Sequence, residues 1–278
     1  MKKVTLQILP ALFLLCTMSC NNDDRDLQPT GENGKPGKIG YSDYDRDRSI
    51  YFYYQGNRLS EIKEKGGSIL RFNYENNEPV SISVSPDSRE VADGHGSTVF
   101  KKKDENRITV ESSGEPSFDL YVRELELDEN HIPVRITETG VYSRTGAGGE
   151  LTLVRDGQYY AEFTYDPATR QLVKQVVYDK GTSEINAVYE YEYDGNTGAA
   201  SKIDLPLWFC AYMAYGNRDY KNAWNWLFLS YSGNIVRETA AWTDGEQRVY
   251  NYTHQYNSER TPVSMEIDPL DMTLSILY

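Results

Sequence analysis

The sequence predicts an all-β domain, an antiparallel meander of about 14 to 16 short strands that is rolled or closed as a barrel-like domain. Three observations predict it. Apolar and polar residues alternate at period two, turn residues interrupt that alternation, and one short unit recurs from residue 50 onward. Because an open twisted sheet rarely exceeds about ten strands, so many strands favour closure. A two-layer sandwich is the alternative.

The recurring unit is a strand of alternating aromatic or aliphatic residues, a turn of Asn, Asp or Gly, and an aliphatic pair. Copies of the unit begin at Tyr51, Phe72, Leu125, Phe163, Tyr191, Leu229 and His254, and a weaker one runs from Val99 to Val110. Between residues 189 and 194, tyrosines alternate with carboxylates, which places each class on its own face of a strand. Asp156-Gly157, Asp194-Gly195 and Asp244-Gly245 are predicted to form tight hairpin turns.

The first 20 residues have the form of a lipoprotein signal peptide. Lys2 and Lys3 precede an apolar run over residues 6–16, and Ser19 precedes Cys20. That run is too short to cross a bilayer as a mature helix, which needs about 20 apolar residues. We therefore expect cleavage before Cys20 and attachment of palmitate and other acyl chains to it, which gives stable membrane anchoring. An ordinary secretory signal is the alternative.

The segment after Cys20 is polar and rich in Gly, Pro and Asn, so residues 21–39 are predicted to be a flexible tether. Residues 40–278 then form a single β-meander domain. Asp23 and Asp24 resemble the surface-export signal of Bacteroidetes lipoproteins. We therefore expect an outer-membrane protein on the cell surface, with the periplasmic face as the alternative. Cys210 would be the remaining thiol, so no intramolecular disulfide is expected.

Charge narrows the class of partner. The sequence has 29 basic and 42 acidic residues, and removal of Lys2 and Lys3 with the leader changes the net charge from −13 to −15. Such a chain repels phosphate backbones, which excludes nucleic acid as a partner. His95, His131 and His254 lack metal-ligand spacing. We predict no metal site, no cofactor and no catalytic residue.

An aromatic insert, residues 203–228, breaks the repeat. It holds three of the four tryptophans and is the longest nearly uncharged apolar stretch after the leader, with a short helix predicted after Pro206. The insert is interpreted either as a plug that fills the barrel or as a ligand platform, because exposed aromatic rings stack on sugars and other flat apolar faces. The candidate ligand-binding residues are Trp208, Tyr212, Tyr215, Arg218, Trp224 and Trp226.

The Phe/Leu-x-Tyr-Asp/Asn turn followed by an aliphatic pair resembles the Tyr-Asp (YD) repeats of large secreted Rhs-type proteins. Together with the lipobox, the chain resembles a family of Bacteroidetes lipoproteins of unknown function whose domain is described as porin-like. The resemblance covers nearly all of residues 40–278. It implies a porin-like β domain and no particular reaction, since fold does not confer an activity.

The leading functional interpretation is a lipid-anchored envelope protein that binds a ligand or acts as a surface scaffold. Its partners would be the membrane, through Cys20, and a glycan or a protein, through the aromatic insert. A polysaccharide hydrolase with an unlocated carboxylate pair is one alternative. An integral outer-membrane β-barrel is another, and it would place the tyrosines outward in an apolar band.

Overall fold

The structure, a computed structural model, describes residues 34–43, 46–86, 96–114, 119–144, 151–216 and 225–278. They form 17 strands and two helices. The strands are β1 (Lys38–Asp43), β2 (Arg46–Gln55), β3 (Arg58–Glu64), β4 (Ser68–Glu75), β5 (Glu78–Pro86), β6 (Gly96–Asp104), β7 (Arg107–Gly114), β8 (Asp119–Leu127), β9 (Pro133–Arg144), β10 (Leu151–Asp156), β11 (Tyr159–Tyr165), β12 (Leu172–Asp179), β13 (Ile185–Tyr193), β14 (Ile235–Trp242), β15 (Gln247–Tyr256), β16 (Pro262–Asp268) and β17 (Met272–Leu277). The helices are α1 (Leu207–Gly216) and α2 (Asn225–Leu229).

The strands close into one antiparallel barrel. Each strand from β1 to β9 and from β11 to β17 pairs with its neighbour in the chain. Pairing of β9 with β11 and of β1 with β17 completes a ring of 16 strands, in which Lys38 lies opposite Leu277. The remaining strand, β10, pairs with the far half of β9. The predicted barrel-like meander is confirmed, and closure pairs the backbone edges that an open sheet would expose.

The up-and-down topology gives the barrel two distinct ends. The turns β2–β3, β4–β5, β6–β7, β8–β9, β11–β12 and β15–β16 lie at one, here called the proximal end, and the connection between β13 and β14 starts and ends there. The chain also enters there, since Gly37 hydrogen-bonds to Phe52 and Leu277. At the opposite, distal end lie the turns β3–β4, β12–β13, β14–β15 and β16–β17.

Alternation of buried and exposed residues along the barrel strands, seen clearly in β11 and β17, separates the lumen of the barrel from its outer wall. In β11, Ala161 and Phe163 are buried whereas Glu162 and Thr164 are exposed, and β17 alternates in the same way. The outer wall carries cross-strand ion pairs. These are Lys174–Glu190 at 2.8 Å, Arg237–Glu192 at 3.1 Å, Lys101–Glu111 at 2.6 Å and Arg71–Glu61 at 3.0 Å. The barrel is therefore apolar inside and charged outside.

The lumen is occupied by α1. The Phe209 ring packs edge-to-face against Phe72 of β4, Phe100 of β6 and Phe228, with centroid separations of 5.9, 5.5 and 6.2 Å. Tyr215 packs in the same manner on Phe163 of β11, on another part of the wall. These contacts place α1 inside the barrel, where aromatic side chains bury large areas. The described residues contain no helix of the length and apolarity that a bilayer crossing requires.

Two of the three predicted Asp-Gly hairpins are wrong. Gly245 has φ +89° in the β14–β15 turn, as predicted, but neither Gly157 nor Gly195 adopts a positive φ. Gly157 joins β10 to β11, which both pair with β9, and it is glycine because a Cβ there would lie 1.8 Å from the Glu138 carbonyl oxygen. Asp194 begins the connection to α1. The strands expected between Asp194 and Ile203 and from Leu229 are absent from the described residues of this connection, 194–216 and 225–234.

Candidate ligand-binding site

The structure buries the described members of the predicted ligand-binding set. The side chains of Trp208, Tyr212, Tyr215 and Trp226 are between 3% and 7% exposed. Tyr212 stacks edge-to-face on Phe100, and its hydroxyl lies 3.3 Å from the Ser112 hydroxyl of β7. The other two predicted residues, Arg218 and Trp224, lie outside the described residues. Of the four buried rings, Trp208 lines an open pocket.

This mouth pocket lies at the proximal end and has a volume of about 290 Å³. Its lining residues come from four turns and from the start of α1, and they are Glu78, Lys102, Leu127, Asn130, His131, Ile132, Arg170, Pro206, Leu207 and Trp208. Leu127, Ile132 and Leu207 give it apolar walls beside the indole. An apolar lining with a few convergent polar groups is typical of small-molecule sites.

Hydrogen-bond donors converge on the mouth pocket. The Lys102 ammonium pairs with Glu78 at 2.9 Å, whereas the exposed Arg170 guanidinium has no ion-pair partner in the described part of the chain. Helix α1 begins here and carries no acidic residue in its first turn, and the N-terminus of a helix attracts negatively polarised oxygens. Together these groups can bind the oxygens of a small polar ligand.

The connection to α1 is held at the proximal end by a polar cluster around Asn234. Its side-chain Oδ1 accepts a hydrogen bond from the Ala199 backbone at 3.1 Å, and its Nδ2 donates to the Thr197 carbonyl at 2.9 Å. The Asp194 carboxylate accepts from the Asn234 backbone and from the Tyr256 hydroxyl. Partial burial raises the pKa of Asp194, but these hydrogen bonds outweigh it and hold the pKa below its ordinary value.

His254 belongs to the packing of α2. Its ring stacks on Trp226 with centroids 6.1 Å apart, and Nε2 donates to the Ile235 carbonyl at 2.8 Å, which fixes the tautomer because a carbonyl only accepts. Burial lowers the pKa of His254, so the imidazole is neutral at pH 7. The ring fills space under Trp226 and carries no charge to a ligand.

Glu238 is a buried carboxyl that the sequence analysis missed. It is 1% exposed on β14, two residues before the buried Ala240, and therefore faces the lumen. The Tyr252 hydroxyl donates a hydrogen bond to it at 3.1 Å. Burial raises the pKa of Glu238 to about 8. Glu238 is the one fully buried acid among the described residues, so this part of the chain supplies no buried carboxylate pair for the hydrolase alternative.

No protein-family model matches the chain, and no curated protein matches it significantly. Among solved structures, a porin-like protein from Bacteroides vulgatus ATCC 8482 has 11% sequence identity and a TM-score of 0.43, with 88% of this chain and 98% of that chain covered. A porin-like protein from Bacteroides uniformis ATCC 8492 has 11% identity and a TM-score of 0.35, with 87% and 96% covered. At TM-scores below 0.5, these similarities support no conclusion about what this chain binds.

Proposed function

We propose that the chain is a lipid-anchored binding module of the cell envelope, a plugged barrel that stands in water and holds a ligand at its proximal end. The observation that carries this proposal is the placement of α1. Phe209 packs against strands β4 and β6 within the lumen, where a pore would need an open polar channel. The fold therefore favours a binding or scaffold role over conduction.

The charge of the outer wall argues against the integral-membrane alternative. A barrel in a bilayer presents an apolar outward band about 25 Å tall, and each Lys or Arg at the bilayer midplane costs about 2 to 4 kcal/mol. Here Lys174, Arg237 and Lys101 lie on the outer wall in cross-strand ion pairs. Tyrosines of the strands such as Tyr189 and Tyr252 are buried in the core and do not face outward, as they would in an apolar band. We infer that the wall is solvated.

The anchor and the plug belong to the same end of the barrel. Lys35 is buried there, and its Nζ donates to the Gly56 carbonyl at 2.5 Å and to Asn57 Oδ1 at 3.3 Å. The acylated residue would be Cys20, 14 positions before the first described residue, Gly34. The proximal end would therefore lie toward the membrane and the distal end away from it, with surface display favoured over the periplasmic face.

The ligand proposed for the mouth pocket is a glycan. One sugar ring can contact the exposed edge of Trp208 and the neighbouring aliphatic side chains, while Arg170 and the backbone at the start of α1 bind its hydroxyls. The volume of about 290 Å³ leaves room for a ring and its substituents. A protein partner is the alternative to a glycan. It would have to contact a wider surface around the mouth pocket.

Two experiments test the proposal. Metabolic labelling with palmitate is expected to label the wild-type chain and not the Cys20→Ser variant, and the purified barrel is expected to show no conductance in planar bilayers. Stable ion channels would contradict the plugged, solvated barrel.

Glycan binding is tested by tryptophan fluorescence of the purified chain, titrated with a panel of host and dietary glycans. We expect a saturable shift that weakens at least about tenfold in Arg170→Ala, which removes one charged donor. The matched control is Arg237→Ala, on the outer wall. If Arg170→Ala and Arg237→Ala bound the glycan with equal affinity, the glycan would bind outside the mouth pocket.

A further inference from the structure

Two strand bulges lie near the distal end of the barrel. The register shifts between Val122 and Arg123 in β8, where it faces β9, and between Leu153 and Arg155 in β10. On β9, Thr139 is the extra residue between Glu138, opposite Arg123, and Gly140, opposite Val122. β-Bulges redirect side chains and occur preferentially beside functional sites. The arrangement aims the side chains of β8 and β10 at one place.

A pocket of about 160 Å³ lies at this junction, here called the bulge pocket. Arg123, Arg155, Glu138 and Asp156 supply its charged lining, and Tyr121 and Tyr159 supply its aromatic lining. Arg123 is two residues before Leu125, whose side chain is in the core, so Arg123 points to the inner face of the wall. The bulge pocket is at the other end of the barrel from the mouth pocket.

Both arginines of the bulge pocket lack an ion-pair partner among the described residues. Neither Arg123 nor Arg155 has an ion pair or a side-chain hydrogen bond within the described part of the chain, and the Nε atom of Arg123 is shielded from solvent. Elsewhere, Arg71, Arg237 and Arg248 each pair with a carboxylate. A buried donor without an acceptor is costly, as at the Arg123 Nε, and the exposed Arg155 places a second unpaired cation in the same pocket, so the pair can bind an anion.

One acid of the bulge pocket, Asp156, is already paired with a cation. The Asp156 carboxylate pairs with the Lys180 ammonium at 2.9 Å and accepts from the Gly157 backbone at 2.8 Å. One oxygen of Glu138 lies 3.4 Å from the backbone nitrogen of Gln158. These contacts direct the carboxylates to neighbouring groups of the wall. Among the described residues, the charged groups of the bulge pocket without an ion pair are the two guanidinium groups and the Glu138 carboxylate.

The backbone of the bulge pocket is closely packed. A Cβ on Gly157 would lie 1.8 Å from the Glu138 carbonyl oxygen, and a Cβ on Gly140 would lie 2.9 Å from the Arg155 carbonyl oxygen. Glycine at both positions lets β10 and β11 approach β9. The closely packed strands hold the two arginines in place, which favours binding because the site loses little conformational entropy when a ligand binds.

We propose that the bulge pocket binds a carboxylate-bearing sugar, a hexuronate or a similar acidic residue of a glycan, through Arg123 and Arg155. The planar guanidinium binds a carboxylate in a two-pronged manner, with shorter and stronger hydrogen bonds than neutral donors make. Tyr121 and Tyr159 provide faces against which the ring can pack. This site depends neither on glycan binding in the mouth pocket nor on the lipid anchor.

The test is isothermal titration calorimetry of the full chain in detergent with glucuronate, glucose and inorganic sulfate. We expect glucuronate to bind, added salt to weaken the binding, and glucose at the same concentration to give no heat of binding. Arg155→Gln should weaken glucuronate binding at least about tenfold, because it removes a charge-assisted contact. Arg123→Gln should have a similar effect. The matched control, Arg237→Gln on the outer wall, should bind as the wild type does.

Three outcomes would overturn the proposal: no binding of glucuronate, equal binding by glucose, or unchanged affinity in Arg155→Gln. Sulfate bound through the same arginines without glucuronate would also overturn the assignment to an acidic sugar. Because Arg155 is exposed, Arg155→Gln is expected to fold like the wild type. Circular dichroism checks the fold of this variant, so the test does not depend on whether Arg123→Gln folds.

Discussion

The Tyr252 hydroxyl donates a hydrogen bond to the Glu238 carboxyl, 3.1 Å away, inside the barrel. The two residues lie on the neighbouring strands β14 and β15, and both are buried. Burial of the carboxyl raises the pKa of Glu238 to about 8, although the hydrogen bond from Tyr252 opposes that change. At neutral pH the folded chain thus keeps a proton that an unfolded chain, with its glutamate near the ordinary pKa of 4.5, has released.

This difference predicts that Glu238 makes the barrel less stable as pH rises. Below about pH 4.5 the carboxyl is protonated in both states, and between that value and about 8 only the folded state binds the proton. Its contribution to the free energy of unfolding should fall by up to about 1.4 kcal/mol per pH unit in this window and then level off. The Glu238→Gln variant should lose that slope, as measured by urea unfolding from pH 5 to 9.

The control for this experiment is Glu190→Gln. Glu190 is exposed on the outer wall beside Lys174, and no buried carboxyl is lost with it. The difference in slope between the wild type and Glu238→Gln isolates one residue, because other titrating groups contribute equally to both chains. If the free energy of unfolding had the same pH slope in the wild type and in Glu238→Gln, Glu238 would be ionised in the folded state.

Most of the fold was predictable from the sequence, because alternation at period two specifies both the strand and its buried face. In β13, the tyrosines at 189 and 191 are buried and the glutamates at 190 and 192 are exposed, as the pattern predicts. The helix after Pro206 was also predictable, since ten apolar residues follow without alternation. The Asp-Gly signals failed at Gly157 because tertiary packing, and not turn geometry, requires a glycine there.

The candidate sites were less predictable. The sequence located Trp208, but the residues that surround it in the mouth pocket, such as Lys102 and Arg170, come from turns far apart in the chain. Arg123 and Arg155 become neighbours only through two strand bulges, and no local pattern specifies that register. Glu238 was missed for a similar reason. Its inward orientation depends on the pairing of β14 with β13, where the register also shifts.

Truncation of Phe209 should strongly destabilise the barrel. Its ring contacts Phe72, Phe100 and Phe228, and it is fully buried, so Phe209→Ala leaves a cavity in the plug as well as losing apolar burial. We expect a loss of about 3 to 5 kcal/mol in the free energy of unfolding. The control, Ile185→Ala, removes a side chain that is 46% exposed and should cost about 1 kcal/mol or less. Equal losses would mean that α1 does not pack in the lumen.

Loss of the Asn234 side chain should lower the free energy of unfolding as much as loss of a buried apolar side chain does. Its buried amide satisfies the Ala199 N–H and the Thr197 carbonyl, and Asn234→Ala leaves both without a side-chain partner. We expect a cost of about 2 to 4 kcal/mol, from about 1 to 3 kcal/mol for each buried group left unsatisfied. Asn251→Ala, on the exposed face of β15, should change stability by about 0.5 kcal/mol or less in the same urea titration. A neutral Asn234→Ala would contradict the hydrogen bonding described for the connection.

Gly157 and Gly195 provide a matched pair of substitutions at two Asp-Gly sequences. Neither glycine adopts a positive φ, so an alanine is not excluded at either by its backbone conformation. A Cβ at 157 would lie 1.8 Å from the Glu138 carbonyl oxygen and 2.3 Å from its carbonyl carbon, whereas a Cβ at 195 would have no heavy atom within 4 Å. Gly157→Ala should therefore push β9 and β11 apart and cost about 3 kcal/mol or more.

Gly195→Ala should be neutral, or should stabilise the chain by up to about 1 kcal/mol, because it restricts the unfolded state without a clash. Thermal unfolding of both variants measures the difference. Because Gly157 also lines the bulge pocket, Gly157→Ala should lose glucuronate binding at temperatures where it is still folded, and Gly195→Ala should keep it. If Gly157→Ala proved as stable as the wild type, the close approach of β9 and the β10–β11 junction would be wrong, and with it the geometry that places Arg155 beside Arg123.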